Sequence, residues 1–189
     1  YLMKLVAGVD EVGRGSLIGP VYAAAVILNR SINKKDLKDS KSLSKNKREK
    51  LFIYIKKNST WAIGQASVKE IEKMNILHAS LLAMKRAIIK LKKKPNLVLV
   101  DGNKLPNLKN HNLRCIVKGD QKIPSISAAS IIAKVTRDKF ITKHSKKFKN
   151  YSWETNFGYG TKKHIKALKK FGTTKHHRKK FSPILNLRK

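Results

Sequence analysis

The stretch from Val6 to Leu28 constrains the fold of this chain more than any other, because it sets two adjacent acids between two apolar runs. The first run, Val6 to Val9, leads straight into Asp10 and Glu11. The second run extends from Val21 to Leu28. Apolar, β-leaning runs of this length predict buried strands. A carboxylate beside a buried strand is costly unless it is paired, hydrogen-bonded or bound to a cation, so we expect Asp10 and Glu11 to begin a metal site.

A glycine-rich turn joins the two predicted strands. It carries an arginine between two glycines, Gly13-Arg14-Gly15. Glycine has no Cβ and therefore lets the main chain come close to a ligand. We expect this turn to approach a phosphodiester substrate.

The charge of the chain indicates a polyanionic partner. Lysine and arginine number 44 against 11 aspartates and glutamates, which gives a formal net charge of +33. Such an excess favours nucleic acid as the partner. The alternative is a general drift toward lysine that spreads positive charge over all solvated faces. Such a drift explains much of the size of the net charge, whereas its positive sign still favours nucleic acid.

Cysteine content and the length of the apolar runs bear on the compartment. Cys115 is the only cysteine, so the sequence predicts neither a disulfide framework nor a cysteine-based zinc site. The longest clean apolar run, Val21 to Leu28, is shorter than the roughly 20 residues that cross a bilayer. Asp10 arrives before the apolar core of a signal peptide could form. We expect a cytoplasmic protein that does not enter a membrane.

Strands and helices are interspersed along the rest of the chain, which predicts a single α/β domain over residues 1–189 with a partly parallel sheet. Further strands are predicted at Trp61–Ala66, Leu97–Val100 and Arg114–Val117. Helices are predicted after an N-cap at Ser44, over residues 76–93, from Ile126 to about His144, and over Lys162–Phe171. Pro95 is expected to end the second of these helices, and the tail pattern indicates a short docking helix near Ile184.

Two further acids follow predicted strands. Asp101 ends the run Leu97–Val100, and Asp120 follows a short strand and a glycine. Sites in open α/β sheets form beyond the carboxyl ends of the strands, so Asp10 and Asp101 converge if their strands are parallel neighbours. A cluster of oxygen ligands suits Mg²⁺ or Mn²⁺, and two such ions suit phosphoryl transfer. Taken alone, each aspartate is equally a turn former or a helix cap, and for Asp120 the cap is the favoured interpretation.

Six blocks of the sequence, in order, resemble the ribonuclease HII family, the type 2 ribonucleases H of bacteria. They are DEVGRGSLIGPV (10–21), DSKSLS (39–44), VDGN (100–103), KGDQKIPSISAASIIAKVTRD (118–138), GYGTKKH (158–164) and HHRKKFSP (176–183). The resemblance runs from about Val6 to Ile184. It implies a ribonuclease H-like fold, in which helices flank a central five-stranded mixed sheet and a helical extension begins at about residue 150.

The resemblance also implies an activity. Members of this family are metal-dependent endonucleases that cut the RNA strand of RNA/DNA hybrids. They also incise duplex DNA on the 5′ side of an embedded ribonucleotide and leave 3′-hydroxyl and 5′-phosphate ends. The implied metal-binding and catalytic residues are Asp10, Glu11, Asp101 and Asp120, which would hold two Mg²⁺ or Mn²⁺ ions. A monomer is expected.

Substrate contacts are implied at three further places. Gly13-Arg14-Gly15 resembles the family's sensor of the ribose 2′-hydroxyl, the group that distinguishes RNA from DNA. Tyr159 matches a tyrosine that packs on the adjoining deoxyribose, and Lys41 matches a basic residue near the backbone. Other interpretations stay open, since Gly13-Arg14-Gly15 could be only a tight turn and Tyr159 only a core aromatic. His176 and His177 could be metal ligands, although a phosphate-facing or structural role is favoured.

Two rival functions are weighed against this one. Ribonuclease HIII usually carries an extra N-terminal domain, for which this chain has no room, and it typically has a glutamate where this chain has Asp120. A non-catalytic basic nucleic-acid-binding protein would satisfy the charge. Four acids at a polyanion-binding surface argue against it, because they weaken binding unless metals neutralise them.

Overall fold

A mixed five-stranded sheet forms the centre of the computed structural model, within the residues that the structure describes, which are 4–33, 37 and 43–188. The strands are β1 (Val6–Val12), β2 (Val21–Leu28), β3 (Ser59–Ala66), β4 (Leu97–Asp101) and β5 (Leu113–Ile116), in the order β3-β2-β1-β4-β5. The helices are α1 (Lys45–Lys57), α2 (Val68–Ile89), α3 (Gly119–Lys122), α4 (Pro124–Ser145), α5 (Trp153–Asn156) and α6 (Lys162–Phe171). This arrangement confirms the predicted α/β fold with a partly parallel sheet.

Strand β1 lies between an antiparallel neighbour, β2, and a parallel neighbour, β4. It continues to Val12, three residues beyond the predicted end, because pairing with β2 continues that far. On the other side, Val9 lies opposite Val100 of β4. Asp10 and Asp101 are the next residues of their strands, so the register brings them to the same edge of the sheet.

Helices cover both faces of the sheet. Helix α2 packs against one face through small residues that include Ala79, Ala83 and Ala87. Helices α1 and α4 pack against the other face, where Ala128, Ala129 and Ala133 of α4 are fully buried. A Cβ at Gly8 of β1 would overlap the backbone of α4 at Ser125, so this helix starts directly on the strand that carries Asp10. The close-packing interpretation of the small residues in α4 is confirmed.

Helix α2 has an additional segment before the predicted helix, and it ends earlier than predicted. It begins at Val68 because Ser67 and Glu70 form a capping box, a Ser-x-x-Glu signal that the apolar spacing did not reveal. Asn75 interrupts it with a φ of 68°, and its side-chain oxygen accepts hydrogen bonds from the next turn, as an N-cap does. The helix ends at Ile89, so it stops well before Pro95 and not because of it.

The C-terminal segment packs back on the turn that follows β1. Leu17 and Ile18 of that turn share a cluster with Trp153, Leu168 and Ile184. The predicted docking helix is a single 3₁₀ turn at Leu185–Arg188, just after the buried Ile184. Among the described residues, no helix is long and apolar enough to span a membrane.

Candidate active site

Three of the predicted acids line one cavity at the edge of the sheet where β1 and β4 stop pairing with each other. Its volume is about 340 Å³, and Asp10, Glu11 and Asp101 form part of its wall. The remaining wall comes from Val12, Arg48, Ser130, Ile131, Lys134 and Tyr159. Helix α4 supplies three of these residues, and the close contact of α4 with Gly8 is what brings them over the acids.

The two adjacent acids are strongly perturbed by their surroundings. Asp10 is only 5% exposed, and burial raises its pKa well above its usual value, with further increases from the charges of Glu11 and Asp101. Burial also raises the pKa of Glu11, against the effect of an ion pair with Arg14 at 3.3 Å. Buried carboxylates that repel one another are stabilised by a cation, so their chemistry fits a divalent metal bound by hard oxygen ligands.

Asp120 lies beside this group and not in the wall of the same cavity. It is buried at the start of α3 and borders a small neighbouring pocket with Gln121 and Ser127. The backbone N–H of Gly119, the preceding residue, donates to Oδ1 of Asp101 at 2.7 Å, which ties the two positions together. Within the described residues, no group of three or more His, Cys, Asp or Glu side chains meets the geometry of a metal site. Metal binding by all four carboxylates therefore stays a prediction.

The two glycines of the Gly13-Arg14-Gly15 turn stand in different surroundings. Gly13 has a φ of +89°, and a Cβ there would overlap the guanidinium of Arg137. Gly15 faces Tyr159, whose ring carbon Cε1 lies 3.9 Å from where a Cβ would be. Arg14 is half exposed and extends toward Glu11. Gly13 therefore has a structural reason to be glycine, whereas Gly15 lies beside Tyr159, which lines the cavity.

Arg137 of α4 is fully buried and holds two loops together. Its Nη2 donates to the carbonyl of Ile18 at 3.0 Å and its Nε to that of Pro20 at 3.3 Å. Its Nη1 donates to the carbonyl of Phe157 at 3.1 Å, two residues before Tyr159. The guanidinium carbon lies 5.8 Å from the centre of the Tyr159 ring, within cation–π range.

Arg178, also fully buried, holds the same turn from the C-terminal side. Its Nη1 donates to the carbonyl of Arg14 and its Nε to that of Gly19, both at 2.9 Å. Its backbone N–H donates to the carbonyl of Leu17 at 2.8 Å. Sequence reasoning missed both arginines as organisers of the site. A signal existed for Arg137, which lies four residues after Ala133 and four before Ile141, on the buried side of α4.

The remaining predicted residues have mixed outcomes. Tyr159 is half-buried in the cavity wall, so it is not a core aromatic. His177 is 1% exposed and packs beside His164, with 3.2 Å between their Nε2 atoms. Burial and the neighbouring His164 lower the pKa of His177 to about 3, which supports a structural role. Lys41 lies outside the described residues.

Solved structures with a similar fold are ribonucleases H. A ribonuclease H2 from Pyrococcus horikoshii OT3 has a TM-score of 0.81 at 28% identity, covering 98% of this chain and 97% of that one. Bst-RNase HIII, solved in complex with Mn²⁺, has a TM-score of 0.77 at 17% identity, covering 98% of this chain and 69% of that one. The fold is thus that of the ribonucleases H, as the sequence predicted.

The family follows from closer matches. The model of the ribonuclease HII family matches residues 7–183. A ribonuclease HII from Pelagibacter ubique (strain HTCC1062) is 78% identical over 185 residues, covering 98% of this chain and 100% of that protein. The chain belongs to the ribonuclease HII family, and it is an endoribonuclease of the ribonuclease H class.

Proposed function

We propose that this chain is a metal-dependent, monomeric, single-domain endonuclease of the cytoplasm. It would cut the RNA strand of RNA/DNA hybrids and incise duplex DNA on the 5′ side of an embedded ribonucleotide. The observation that carries the proposal is the register of β1 and β4, in which Val9 lies opposite Val100. The buried Asp10 and the partly buried Asp101 follow at one edge of the sheet. Bst-RNase HIII, a protein of similar fold, was solved in complex with Mn²⁺, which supports a metal-dependent reaction.

The proposed ligands are Asp10, Glu11, Asp101 and Asp120, and the proposed ions are Mg²⁺ or Mn²⁺. Bound there, two ions would supply an activated water and stabilise the leaving oxygen. Asp10 is buried and offers its carboxylate from a strand, which limits its movement. Asp101 is oriented by the N–H of Gly119, because that hydrogen bond fixes one of its two oxygens. Asp120 directly follows Gly119, whose N–H donates to Asp101, so it is placed next to the other proposed ligands.

The substrate would lie across the turn after β1. Gly13-Arg14-Gly15 would contact the 2′-hydroxyl through main-chain groups, and Tyr159 would pack on the sugar next to it. Gly15 and Tyr159 border each other, so one sugar can contact both. Lys41 is proposed to contact the backbone, in keeping with the resemblance of its sequence block.

The test is incubation of the protein with a DNA duplex that contains one ribonucleotide, with Mg²⁺, with Mn²⁺ and with EDTA. We expect a single incision on the 5′ side of the ribonucleotide in at least one metal and none in EDTA. The absence of incision in both metals would refute the enzymatic proposal. Incision of an all-DNA duplex at the same rate would refute the 2′-hydroxyl contact.

A further inference from the structure

We propose that a basic groove between α1 and α4 binds the phosphodiester backbone of the duplex on one side of the cleavage point. We define the groove by its five cationic residues, Lys45, Arg48, Lys139, Lys143 and Lys146. This inference rests on the proposed function, because it extends the path of the nucleic acid beyond the acid cavity. It assigns a binding role to residues that the motif blocks leave without one.

The groove is concave and positively charged. Its volume is about 300 Å³. Two acids, Glu49 and Asp138, also line it, but Asp138 is already paired with Lys134 at 2.9 Å. Five cations therefore face the groove against one acid outside that pair. A groove lined by one sign of charge concentrates its field on a ligand of the opposite sign, here the phosphates of a nucleic acid.

The groove is continuous with the acid cavity. Helix α4 supplies Ser130 and Lys134 to the cavity and then Asp138, Lys139 and later residues to the groove. Arg48 of α1 lines both. A duplex whose cleaved strand enters the acid cavity can therefore continue past Arg48 and along α4.

The dimensions match a few base pairs. At about 1.5 Å of rise per residue, the 12 residues from Lys134 to Lys146 span about 18 Å along α4. Base pairs rise about 3.4 Å each, so the groove reaches about five base pairs beyond the edge of the acid cavity. Lys139, Lys143 and Lys146 recur at i+4 and i+3 spacing, which places them on one face of the helix.

Aromatic rings hold one groove lysine and one lysine next to the groove in place. The Nζ of Lys139 lies 4.7 Å from the centre of the Phe52 ring. The Nζ of Lys134 lies 4.8 Å from the Phe157 ring, and Phe157 also lines the groove. A lysine held over a ring loses less side-chain freedom when it binds a phosphate, since part of its ordering has already occurred.

The matched control lies on the opposite face of the sheet. Lys90, Lys92 and Lys93 follow α2, are exposed like Lys139, Lys143 and Lys146, and line none of the cavities described above. Replacing either set with alanine removes the same three charges. Any difference between the two triple variants therefore reports on location and not on net charge.

The experiment measures binding of a fluorescent, ribonucleotide-containing duplex by anisotropy, in EDTA so that no cleavage occurs, over a range of salt concentrations. For Lys139→Ala/Lys143→Ala/Lys146→Ala we expect the slope of log K against log [salt] to fall in magnitude by about 2–3, since each lost phosphate contact removes about 0.9. For Lys90→Ala/Lys92→Ala/Lys93→Ala we expect a change below about 0.5. Equal slopes for the two variants would overturn the groove.

Duplex length gives a second readout. With arms of 10 base pairs on both sides, the groove variant should bind at least about tenfold more weakly than the parent protein. With one arm cut to two base pairs, that difference should fall below about twofold for one of the two arms, because the groove then has no backbone to contact. A loss of affinity that does not depend on arm length overturns the proposal. Failure of the proposed function itself appears separately, as absence of incision by the unmodified protein in Mg²⁺ and Mn²⁺.

Discussion

The two glycines around Arg14 provide the sharpest test of the turn, because alanine should act differently at each. At Gly13, a Cβ would lie 2.7 Å from Cδ and 2.8 Å from Cζ of Arg137, and closer still to its Nε. At Gly15, the nearest atom would be Cε1 of Tyr159 at 3.9 Å, an ordinary contact. We predict that Gly13→Ala destabilises the fold, whereas Gly15→Ala leaves stability nearly unchanged and impairs substrate binding.

The cost at Gly13 has two parts. A φ of +89° is unfavourable for alanine by about 1–2 kcal/mol. The new methyl also displaces the guanidinium of Arg137, which donates to the carbonyls of Ile18, Pro20 and Phe157. Leaving even one buried partner without its hydrogen bond costs about 1–3 kcal/mol. The sum is about 2–5 kcal/mol, which in a chain of this length lowers the melting midpoint by about 4–20 °C.

Urea unfolding and incision should be measured on both variants. We expect a lower urea midpoint for Gly13→Ala with an unchanged m-value, and a free energy of unfolding within about 0.5 kcal/mol of the parent for Gly15→Ala. For Gly15→Ala, preference for the ribonucleotide duplex over the all-DNA duplex should fall. Equal stability of the two variants would refute the steric argument at Gly13. Full activity of Gly15→Ala would refute contact of the substrate with that position.

Three further predictions concern single side chains. Asp10→Asn should abolish incision and retain binding of the duplex. It should also raise the melting midpoint of the metal-free protein, because it removes a buried charge. A midpoint equal to or below that of the parent would contradict the cost of that charge. Tyr159→Ala should slow incision at a single ribonucleotide more than at a long hybrid, and equal losses on the two substrates would exclude a junction role. His177 has a folded-state pKa of about 3, below its unfolded value near 6.5, so its contribution is present above pH 6.5 and is lost as the pH falls toward 3. Between pH 6 and 4, His177 should lower the free energy of unfolding by about 1.4 kcal/mol for each unit that the pH falls. In His177→Asn, whose amide oxygen can still accept from Thr174, urea unfolding should show a pH dependence that is weaker by this amount. An unchanged pH dependence would count against a buried neutral His177.

Much of the sheet was predictable because β1, β2 and β4 begin as or consist of short apolar runs next to turn signals. The run Val21–Leu28 is the same in sequence and in structure. The convergence of Asp10 and Asp101 was also predictable, since it needs only that β1 and β4 be parallel neighbours. The apolar pattern did not predict the end of β1. Its last residues pair with β2 alone, and two of them, Asp10 and Glu11, are charged.

Other features depend on contacts between distant parts of the chain. Asn75 breaks α2 through a left-handed backbone and a local cap, and its neighbours still satisfy helical spacing. In the sequence, Arg137 and Arg178 are two of many basic residues. In the structure, both are fully buried and donate hydrogen bonds to backbone carbonyls. Lysine and arginine are rarely buried. Spacing along the sequence alone does not show that carbonyl groups of a distant turn will accept hydrogen bonds from a guanidinium.

The bond from Arg178 to the turn has a consequence for specificity. In a planar trans peptide, the C=O and the N–H point in opposite directions. The carbonyl of Arg14 points inward to Nη1 of Arg178, so the N–H of Gly15 in the same peptide unit points away from that buried guanidinium. Burial, followed by the charge of Arg137, lowers the pKa of Arg178 to about 9, which leaves it protonated at neutral pH and able to hold this orientation. A tail residue would thus set the direction of a donor in the proposed 2′-hydroxyl sensor, and Arg178→Lys should therefore weaken discrimination between ribonucleotide and deoxyribonucleotide more than it weakens binding of the duplex. Unchanged discrimination in a folded Arg178→Lys protein would refute that link.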